Sequence, residues 1–294
     1  MAHKSGFVNI IGNPNVGKST IMNVLVGERL SIITKKMQTT RHRIKGIVSG
    51  DNFQIVYSDT PGILKPNYKL QESMMKFVDT ALIDADVILY VTDVVEKQDK
   101  NDHYLEKIRK SDTPVIVLIN KIDISTQEAV MTLYQYWKQQ LPNADIYAVS
   151  ALEKFNVSPI FDRILELLPE APPYFPKDEL TDRNERFFVS EIIREKILLN
   201  YDKEIPYSVE IEVEEFKDSG KMLNLRCVIH VVRDSQKGII IGHQGKALKK
   251  VGTEARKDME EFFMKKIFME LYVKVSPDWR DKERSLNKFG YDAQ

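Results

Sequence analysis

Gly12-Asn13-Pro14-Asn15-Val16-Gly17-Lys18-Ser19 decides the fold of the first half of this chain. It spells G-x-x-x-x-G-K-[ST], the pattern of a phosphate-binding loop. The preceding run Gly6-Phe7-Val8-Asn9-Ile10-Ile11 is apolar and β-branched, and in the following run Thr20-Ile21-Met22-Asn23-Val24-Leu25-Val26 the apolar residues fit one helix face. Strand, loop and helix are the context that the pattern requires. Backbone N–H groups of such a loop, at a helix N-terminus, form a concave anion site, and the Lys18 ammonium adds a point charge for terminal phosphates. The Ser19 hydroxyl is placed to hold Mg2+.

Working outward, further segments fall where a nucleotide switch needs them. Asp59-Thr60-Pro61-Gly62 follows the third apolar run, so Asp59 emerges at a strand end facing the phosphate loop and can hold Mg2+ through water, while the Gly62 N–H can sense a γ-phosphate. Asn120-Lys121-Ile122-Asp123 follows the fifth run. The Asp123 carboxylate can accept from guanine N1–H and the exocyclic amine, an arrangement that adenine cannot satisfy; such a site discriminates by roughly 10⁴-fold. GTP is therefore the expected ligand. Ser150-Ala151 can support the base through a backbone N–H. The polar, threonine-rich stretch from Ser31 to Arg43 is expected to order when Thr40, or Thr39, ligates Mg2+ beside the γ-phosphate. Lys18, Thr40 and Gly62 are the candidate catalytic residues; Ser19, Thr40 and Asp59 are the candidate metal ligands. Ile63 stands where many GTPases carry a water-orienting glutamine, so slow intrinsic hydrolysis is expected. Asn15 is a candidate for holding K+ near the phosphates.

Bulk properties exclude several classes. Lysine plus arginine (43) equals aspartate plus glutamate (43) over 294 residues, so any polyanion-binding surface must be local. The single cysteine, Cys227, allows no internal disulfide and suggests a reducing compartment, the cytoplasm. No apolar run is long enough to span a bilayer, and the N-terminus carries no signal-peptide pattern. The histidines show no zinc spacing with one another or with Cys227.

The expected fold class is α/β: a first domain (1–170) with a mixed six-stranded sheet, a proline-rich linker (171–180) and an α+β domain (181–294). Strands are predicted at 7–11, 44–48, 53–58, 87–92, 115–119 and 146–149, the second and third joined as a hairpin. Helices are predicted at 20–26, 70–83, 102–110, 126–140 and 159–168, with Ser125-Thr126-Gln127-Glu128 as a capping box and Ser158-Pro159 as N-cap and first helical residue. Pro169-Glu170-Ala171-Pro172-Pro173-Tyr174-Phe175-Pro176 reads as a semi-rigid spacer. Beyond it a helix near 187–200, strands at 209–215 and 223–232, a helix at 246–263 and a strand at 267–275 complete the pattern.

In that second part Gly242-His243-Gln244-Gly245-Lys246 joins an apolar helix-like turn to a basic helix through G-x-x-G. Between Arg226 and Lys257 eight basic residues face only Asp234 and Glu254, a local excess of six positive charges in a neutral chain. Glycines permit close backbone approach and lysines neutralise phosphates, which is how a KH module clamps about four single-stranded nucleotides. Gly242, His243, Gln244, Gly245, Lys246, Lys249 and Lys250 are the candidate RNA contacts. Glu210, Glu212, Glu214 and Glu215 disfavour RNA on their own face.

With G-x-P-N-V-G-K-S, D-T-P-G, N-K-I-D and S-A, with Gln38-Thr39-Thr40-Arg41-His42-Arg43, a proline linker, a KH-like end, and the closing Asp278-Trp279-Arg280 and Phe289-Gly290-Tyr291, the sequence resembles the Era family of bacterial ribosome-assembly GTPases over nearly its whole length. The resemblance implies a Ras-like GTPase domain and a type II KH domain. It also implies binding to small-subunit ribosomal RNA near the 3′ end on the assembling small subunit, in the cytoplasm, with peripheral association at the inner membrane surface. By the same likeness the nucleotide pocket comprises Gly12, Asn13, Pro14, Asn15, Val16, Gly17, Lys18, Ser19 and Thr20; Asp59, Thr60, Pro61, Gly62 and Ile63; Asn120, Lys121 and Asp123; and Ser150 and Ala151. A hydrophobic residue at position 63 is characteristic of the group. The chain is expected to act as a monomer. Two other readings compete: an RNA-binding assembly chaperone using GTP as a mainly structural ligand, favoured by Ile63, and a small-molecule phosphotransferase, disfavoured by Asp123.

Overall fold

The structure, a computed structural model, describes residues 2–96 and 102–292. The chain divides into two compact units, one running to Pro66 and resuming over Gln71–Asp182, the other made of Asn67–Leu70 and Arg183–Asp292.

In the first unit the strands are β1 (Lys4–Gly12), β2 (Ile44–Ser49), β3 (Phe53–Asp59), β4 (Val87–Asp93), β5 (Val115–Asn120) and β6 (Asp145–Ala148). They form one sheet in the order β2-β3-β1-β4-β5-β6. The three residues joining β2 to β3 are too few for a crossover, so that pair is antiparallel while the other neighbours run parallel. Helices α1 (Lys18–Val26), α2 (Lys69–Ile83), α3 (Asp102–Arg109), α4 (Gln127–Gln140) and α5 (Ser158–Leu167) connect the strands. From Val87 to Val91 no residue is more than 2% exposed. Both faces of β4 are covered, which is why it reads as an unbroken apolar run and not as an alternation. All the parallel strands end toward the same side, and the loops leaving those ends carry the nucleotide-binding motifs.

Two predicted caps shift by one residue. Thr126, not Ser125, caps α4, its hydroxyl accepting from Ala129 N–H at 3.3 Å. Ser125 is already committed to ending the 3-10 turn Ile122–Ile124, where its own N–H donates to the Ile122 carbonyl. For α5 the cap is Val157, whose backbone is itself helical and accepts from Ile160 and Phe161, so Ser158 and Pro159 both lie within the first turn.

The proline-rich stretch expected as a spacer packs into the first unit. The fully buried Gln54 accepts from the N–H groups of Tyr174 (2.7 Å) and Phe175 (2.9 Å) and donates to the Phe175 carbonyl (2.8 Å). Further along, Ile47 N–H donates to the Leu180 carbonyl at 2.9 Å, and Thr181 Oγ1 donates to the Lys45 carbonyl at 2.7 Å. A buried amide must find partners, and the linker backbone supplies them.

The second unit contains α6 (Glu185–Asn200), α7 (Ile205–Ser208), β7 (Glu210–Asp218), β8 (Met222–Val231), α8 (Asp234–Ile241), α9 (Lys246–Phe263), β9 (Lys266–Val275) and α10 (Glu283–Lys288). Its sheet runs β7-β8-β9, antiparallel then parallel, the parallel step being bridged by α8 and α9. Helices cover one face, burying Ile193, Ile197, Leu225, Cys227, Ile229, Ala255 and Met259 in one core. β7 continues past its predicted end because a bulge between Val213 and Glu215 absorbs one of two adjacent glutamates and returns Phe216 to the covered face. Helices α7 and α10 are too short for periodicity to reveal. The closing segment is structural: Trp279 is 1% exposed, and its Nε1 donates to the Ser208 carbonyl at 3.0 Å. Tyr291 donates to Glu210 at 2.6 Å.

Candidate functional site

The loop from Gly12 to Ser19 turns from β1 into α1 through two left-handed residues, Asn15 (φ 68°) and Gly17 (φ 97°). Lys18 is buried and donates to the carbonyls of Gly12 (3.1 Å) and Asn13 (2.8 Å), so its ammonium lies within the curl of the loop. Burial pulls its pKa down to about 8, against the opposing pull of Asp59 and Glu96. A polyanion bound there supplies the counter-charge that restores full protonation.

Ser19, Thr40 and Asp59, from three different elements, converge. Ser19 Oγ lies 2.9 Å from Thr40 Oγ1 and donates to Asp59 Oδ2 at 2.6 Å, and Thr40 Oγ1 donates to the same oxygen at 3.2 Å. Adjacent ligands of an octahedral Mg2+ with bonds of 2.0–2.1 Å are separated by about 3 Å, so the two hydroxyls already have the spacing of a coordination edge. Asp59 is fully buried, and its Oδ1 is among the buried oxygens without a hydrogen-bond partner. Burial pushes its carboxyl upward, opposed by Lys18 and by hydroxyls including Ser19 and Thr40. A buried carboxylate with a spare oxygen and two flanking hydroxyls fits a hard divalent cation.

Thr39 is not part of this cluster. Its hydroxyl lies 2.6 Å from Thr34 Oγ1 and donates to the Lys36 carbonyl, bracing the loop internally. Thr60 donates to the Ile10 carbonyl at 2.7 Å, tying the D-T-P-G turn to β1. Ile63 is only 3% exposed, and its N–H donates to the Gly12 carbonyl at 3.1 Å. The side chain that replaces the usual glutamine is therefore withdrawn into the core.

At the other end of the candidate site Asn120 ties three segments together. Its Nδ2 donates to the Val16 carbonyl (2.8 Å), and its Oδ1 accepts from Ala151 N–H (3.0 Å). That Ala151 N–H, which the sequence reading directs to the base, is thus engaged by Asn120 in this structure. Ser150 Oγ donates to Asp123 Oδ1 at 2.6 Å, fixing the carboxylate of a residue that is otherwise exposed. Lys121, in a left-handed conformation, bonds the Asn15 carbonyl and pairs with Asp93, both at 2.6 Å.

Sequence reasoning missed the supports behind the phosphate loop. Asp93 holds Lys121 and accepts from the N–H groups of Val95 and Glu96. Glu96 accepts from Asn13 and from Thr92 Oγ1. An aspartate at the end of an apolar strand was the available signal, since β3 and β5 likewise end in polar residues of the site, Asp59 and Asn120.

In the second unit Gly242 (φ 69°), Gln244 (φ 52°) and Gly245 (φ 74°) form the turn between α8 and α9. A Cβ on Gly242 would come within 2.6 Å of the Ala247 Cβ. His243, Gln244, Lys246, Lys249 and Lys250 are exposed around this turn. Beside it a groove of about 380 Å³ runs between α9 and β9, lined by residues including Gly245, Leu248, Lys249, Arg256 and Leu271. Arg226 does not join this basic surface. It alternates with the core residues Leu225 and Cys227 on β8 and pairs with Glu270 across the sheet at 3.2 Å.

The family described as 50S ribosome-binding GTPase matches residues 7–121, and the KH domain family matches residues 204–280. GTPase Era of Clostridium kluyveri (strain NBRC 12016) is 42% identical over 290 residues, 98% of this chain and 99% of that protein. GTPase Era of Staphylococcus haemolyticus is 42% identical over 291 residues, 98% of this chain and 97% of that protein. Among solved structures, Era in complex with MgGDPNP and nucleotides 1506–1542 of 16S ribosomal RNA superposes with a TM-score of 0.94 at 38% identity, covering 99% of this chain and 100% of that one. A variant of Aquifex aeolicus Era bound to GDP and AlF4− gives the same TM-score, identity and coverage.

Proposed function

The chain belongs to the GTPase Era family, and from that premise we propose that it is a GTP-hydrolysing switch that binds small-subunit ribosomal RNA near its 3′ end and acts in small-subunit assembly. The observation that carries the proposal is the meeting of Ser19, Thr40 and Asp59 within hydrogen-bond distance of one another, in a chain that also holds a G-x-x-G turn beside exposed lysines. GTP selectivity rests on Asp123, oriented by Ser150. The phosphate loop and Lys18 hold the phosphates, and Thr40 and Gly62 respond to the terminal one. Mg2+, held by Ser19 and Thr40 and near Asp59, neutralises charge on the phosphates when bound. Because Ile63 is withdrawn, it neither blocks nor orients the attacking water. Intrinsic turnover is therefore slow. Hydrolysis to GDP and phosphate removes the contacts of the 31–43 loop with the terminal phosphate, and the link between nucleotide and RNA is reciprocal in binding free energy.

The same reading includes a K+ beside Asn15, whose exposed side chain sits on a left-handed residue of the phosphate loop, and a peripheral contact with the inner membrane surface from a cytoplasmic pool. Among the described residues no helix is long and apolar enough to cross a membrane.

The test is multiple-turnover GTP hydrolysis with and without single-stranded RNA matching the 3′ end of small-subunit ribosomal RNA. Stimulation is expected for the native chain and is lost in the Lys246→Ala/Lys249→Ala variant. The same double variant is expected to weaken RNA binding and to reduce the slope of log K against log salt by about 1.4, two phosphate contacts at about 0.7 each on single strands. An unchanged slow rate with intact RNA binding favours the second reading, an assembly chaperone for which GTP is a structural ligand; buried Ile63 is the observation on its side.

Gly62→Ala tests the phosphate sensor. Its Cβ would meet the Pro14 Cα at 2.7 Å, so the N–H that responds to the terminal phosphate is displaced. Single-turnover hydrolysis is expected to fall by about 10²-fold, the cost of one misplaced transition-state donor, while GDP binding is kept.

A further inference from the structure

Behind the cation-binding cluster a single guanidinium joins the strands that carry its parts. The Arg43 side chain is 8% exposed. Its Nε donates to Ser58 Oγ at 3.1 Å, its Nη2 to Asn9 Oδ1 at 3.1 Å, and Nη1 and Nη2 to the two oxygens of Asp84 at 2.6 and 2.9 Å. Asn9 completes the network by donating to Asp84 Oδ1 at 2.7 Å and to the Ala81 carbonyl at 2.6 Å. Arg43 and Ser58 are short covalent steps from the cluster, and Asn9 and Asp84 reach it through β1 and α2. Arg43 follows Thr40 by three residues, and the intervening Arg41 and His42 are themselves buried at 0% and 6% exposure. Ser58 precedes Asp59, Asn9 lies on the strand that enters the phosphate loop, and Asp84 follows the helix that begins after Gly62.

The other end of the 31–43 loop is fastened independently. Asn23 on α1 donates to the Ser31 carbonyl (2.8 Å) and accepts from the N–H groups of Leu30 (3.0 Å) and Ser31 (2.9 Å). Position along the loop therefore separates the two anchors: Asn23 fixes its start, and Arg43 fixes the end that bears Thr40. A planar fork with five donors can serve three partners on three elements at once, whereas a lysine ammonium on a flexible stem cannot reproduce that geometry.

We propose that Arg43 is a positioning residue for the GTP state: by locking the start of β2 to the end of β3, to β1 and to the end of α2, it holds Thr40 where its hydroxyl meets Ser19 and Asp59, and so sets the preference for GTP over GDP. The proposal rests on the reading of Thr40 as a Mg2+ ligand in the GTP state. GDP retains the phosphate loop and Ser19 but lacks the phosphate that recruits Thr40, so loss of Arg43 acts on one nucleotide and not on the other.

The experiment is equilibrium binding of fluorescent GDP and of a non-hydrolysable fluorescent GTP analogue to the full chain across a Mg2+ titration. The native chain is compared with Arg43→Lys, Asp84→Asn and the reference Thr40→Ala. Thr40→Ala and Arg43→Lys are both expected to weaken the analogue by about tenfold and to raise the Mg2+ concentration for half-maximal binding, the usual size of an outer-shell defect in a metal site. GDP affinity stays within about twofold. Asp84→Asn, which leaves the guanidinium in place, shifts in the same direction by less. If Thr40→Ala separates the two nucleotides and Arg43→Lys and Asp84→Asn do not, or if they weaken both nucleotides equally, the role of Arg43 is overturned. If Thr40→Ala itself fails to separate them, the ligand reading beneath the proposal falls.

Discussion

Asp123→Ala is expected to lower GTP affinity by about 10⁴-fold and to abolish the preference for GTP over ATP, measured by competition binding with both nucleotides. Asp123 is exposed, so its removal costs the fold little. Its effect lies in recognition. Ser150 Oγ holds Asp123 Oδ1 at 2.6 Å, so the carboxylate is oriented before the base arrives. Truncation removes the acceptor for both guanine donors and leaves them unpaired in the bound state, which is the costly direction of a hydrogen-bond mismatch. Ser150→Ala should show the same preference weakened by about tenfold, because it removes orientation and keeps charge.

Gly17→Ala is the second large effect. The residue has φ +97°, and an added Cβ would lie 2.2 Å from Asn120 Nδ2. That neighbour cannot swing away freely, since its amide is bonded to Val16 on one side and Ala151 on the other. Left-handed strain of about 1–3 kcal/mol adds to about 1–3 kcal/mol of overpacking. Expressed on the bound loop, the sum corresponds to a loss of roughly 30-fold to 10⁴-fold in nucleotide affinity, at about 1.4 kcal/mol for each factor of ten. Binding of fluorescent GDP checks it, and near-native affinity would mean that the loop tolerates a side chain at this turn.

Which parts of this were readable beforehand follows from where the physics is local. The phosphate loop, the Asp59 turn and Asn120-Lys121-Ile122-Asp123 are short motifs with fixed backbone demands, and each emerges at the end of a buried strand whose apolar run is plain in the sequence. The hairpin of β2 and β3 follows from loop length alone. What escaped depends on partners distant in sequence. Arg43 could be seen as one of several basic residues in a polar loop, but nothing local links it to Asn9 or Asp84, which are 34 and 41 residues away. The engagement of Ala151 N–H by Asn120 was hidden for the same reason. Arg226 was counted into a basic patch because charge in a window carries no information about which face of a strand it occupies, whereas the alternation with Leu225 and Cys227 places it on the opposite side. The proline-rich stretch misled in another way. Prolines signal that a segment cannot be helix, but they do not say that it is free.

The docking of that stretch along β2 changes what the first unit presents to its neighbours in solution. Strand β2 is the edge of a six-stranded sheet, and an uncovered edge is a template on which another chain can add a strand. Here Ile47 N–H is bonded to Leu180, the Lys45 carbonyl to Thr181, and Lys45 N–H to Asp182. The segment after the last helix of the unit thus blocks edge-to-edge association. A cut made at the prolines would keep every nucleotide-binding motif and still bare this edge to strand addition.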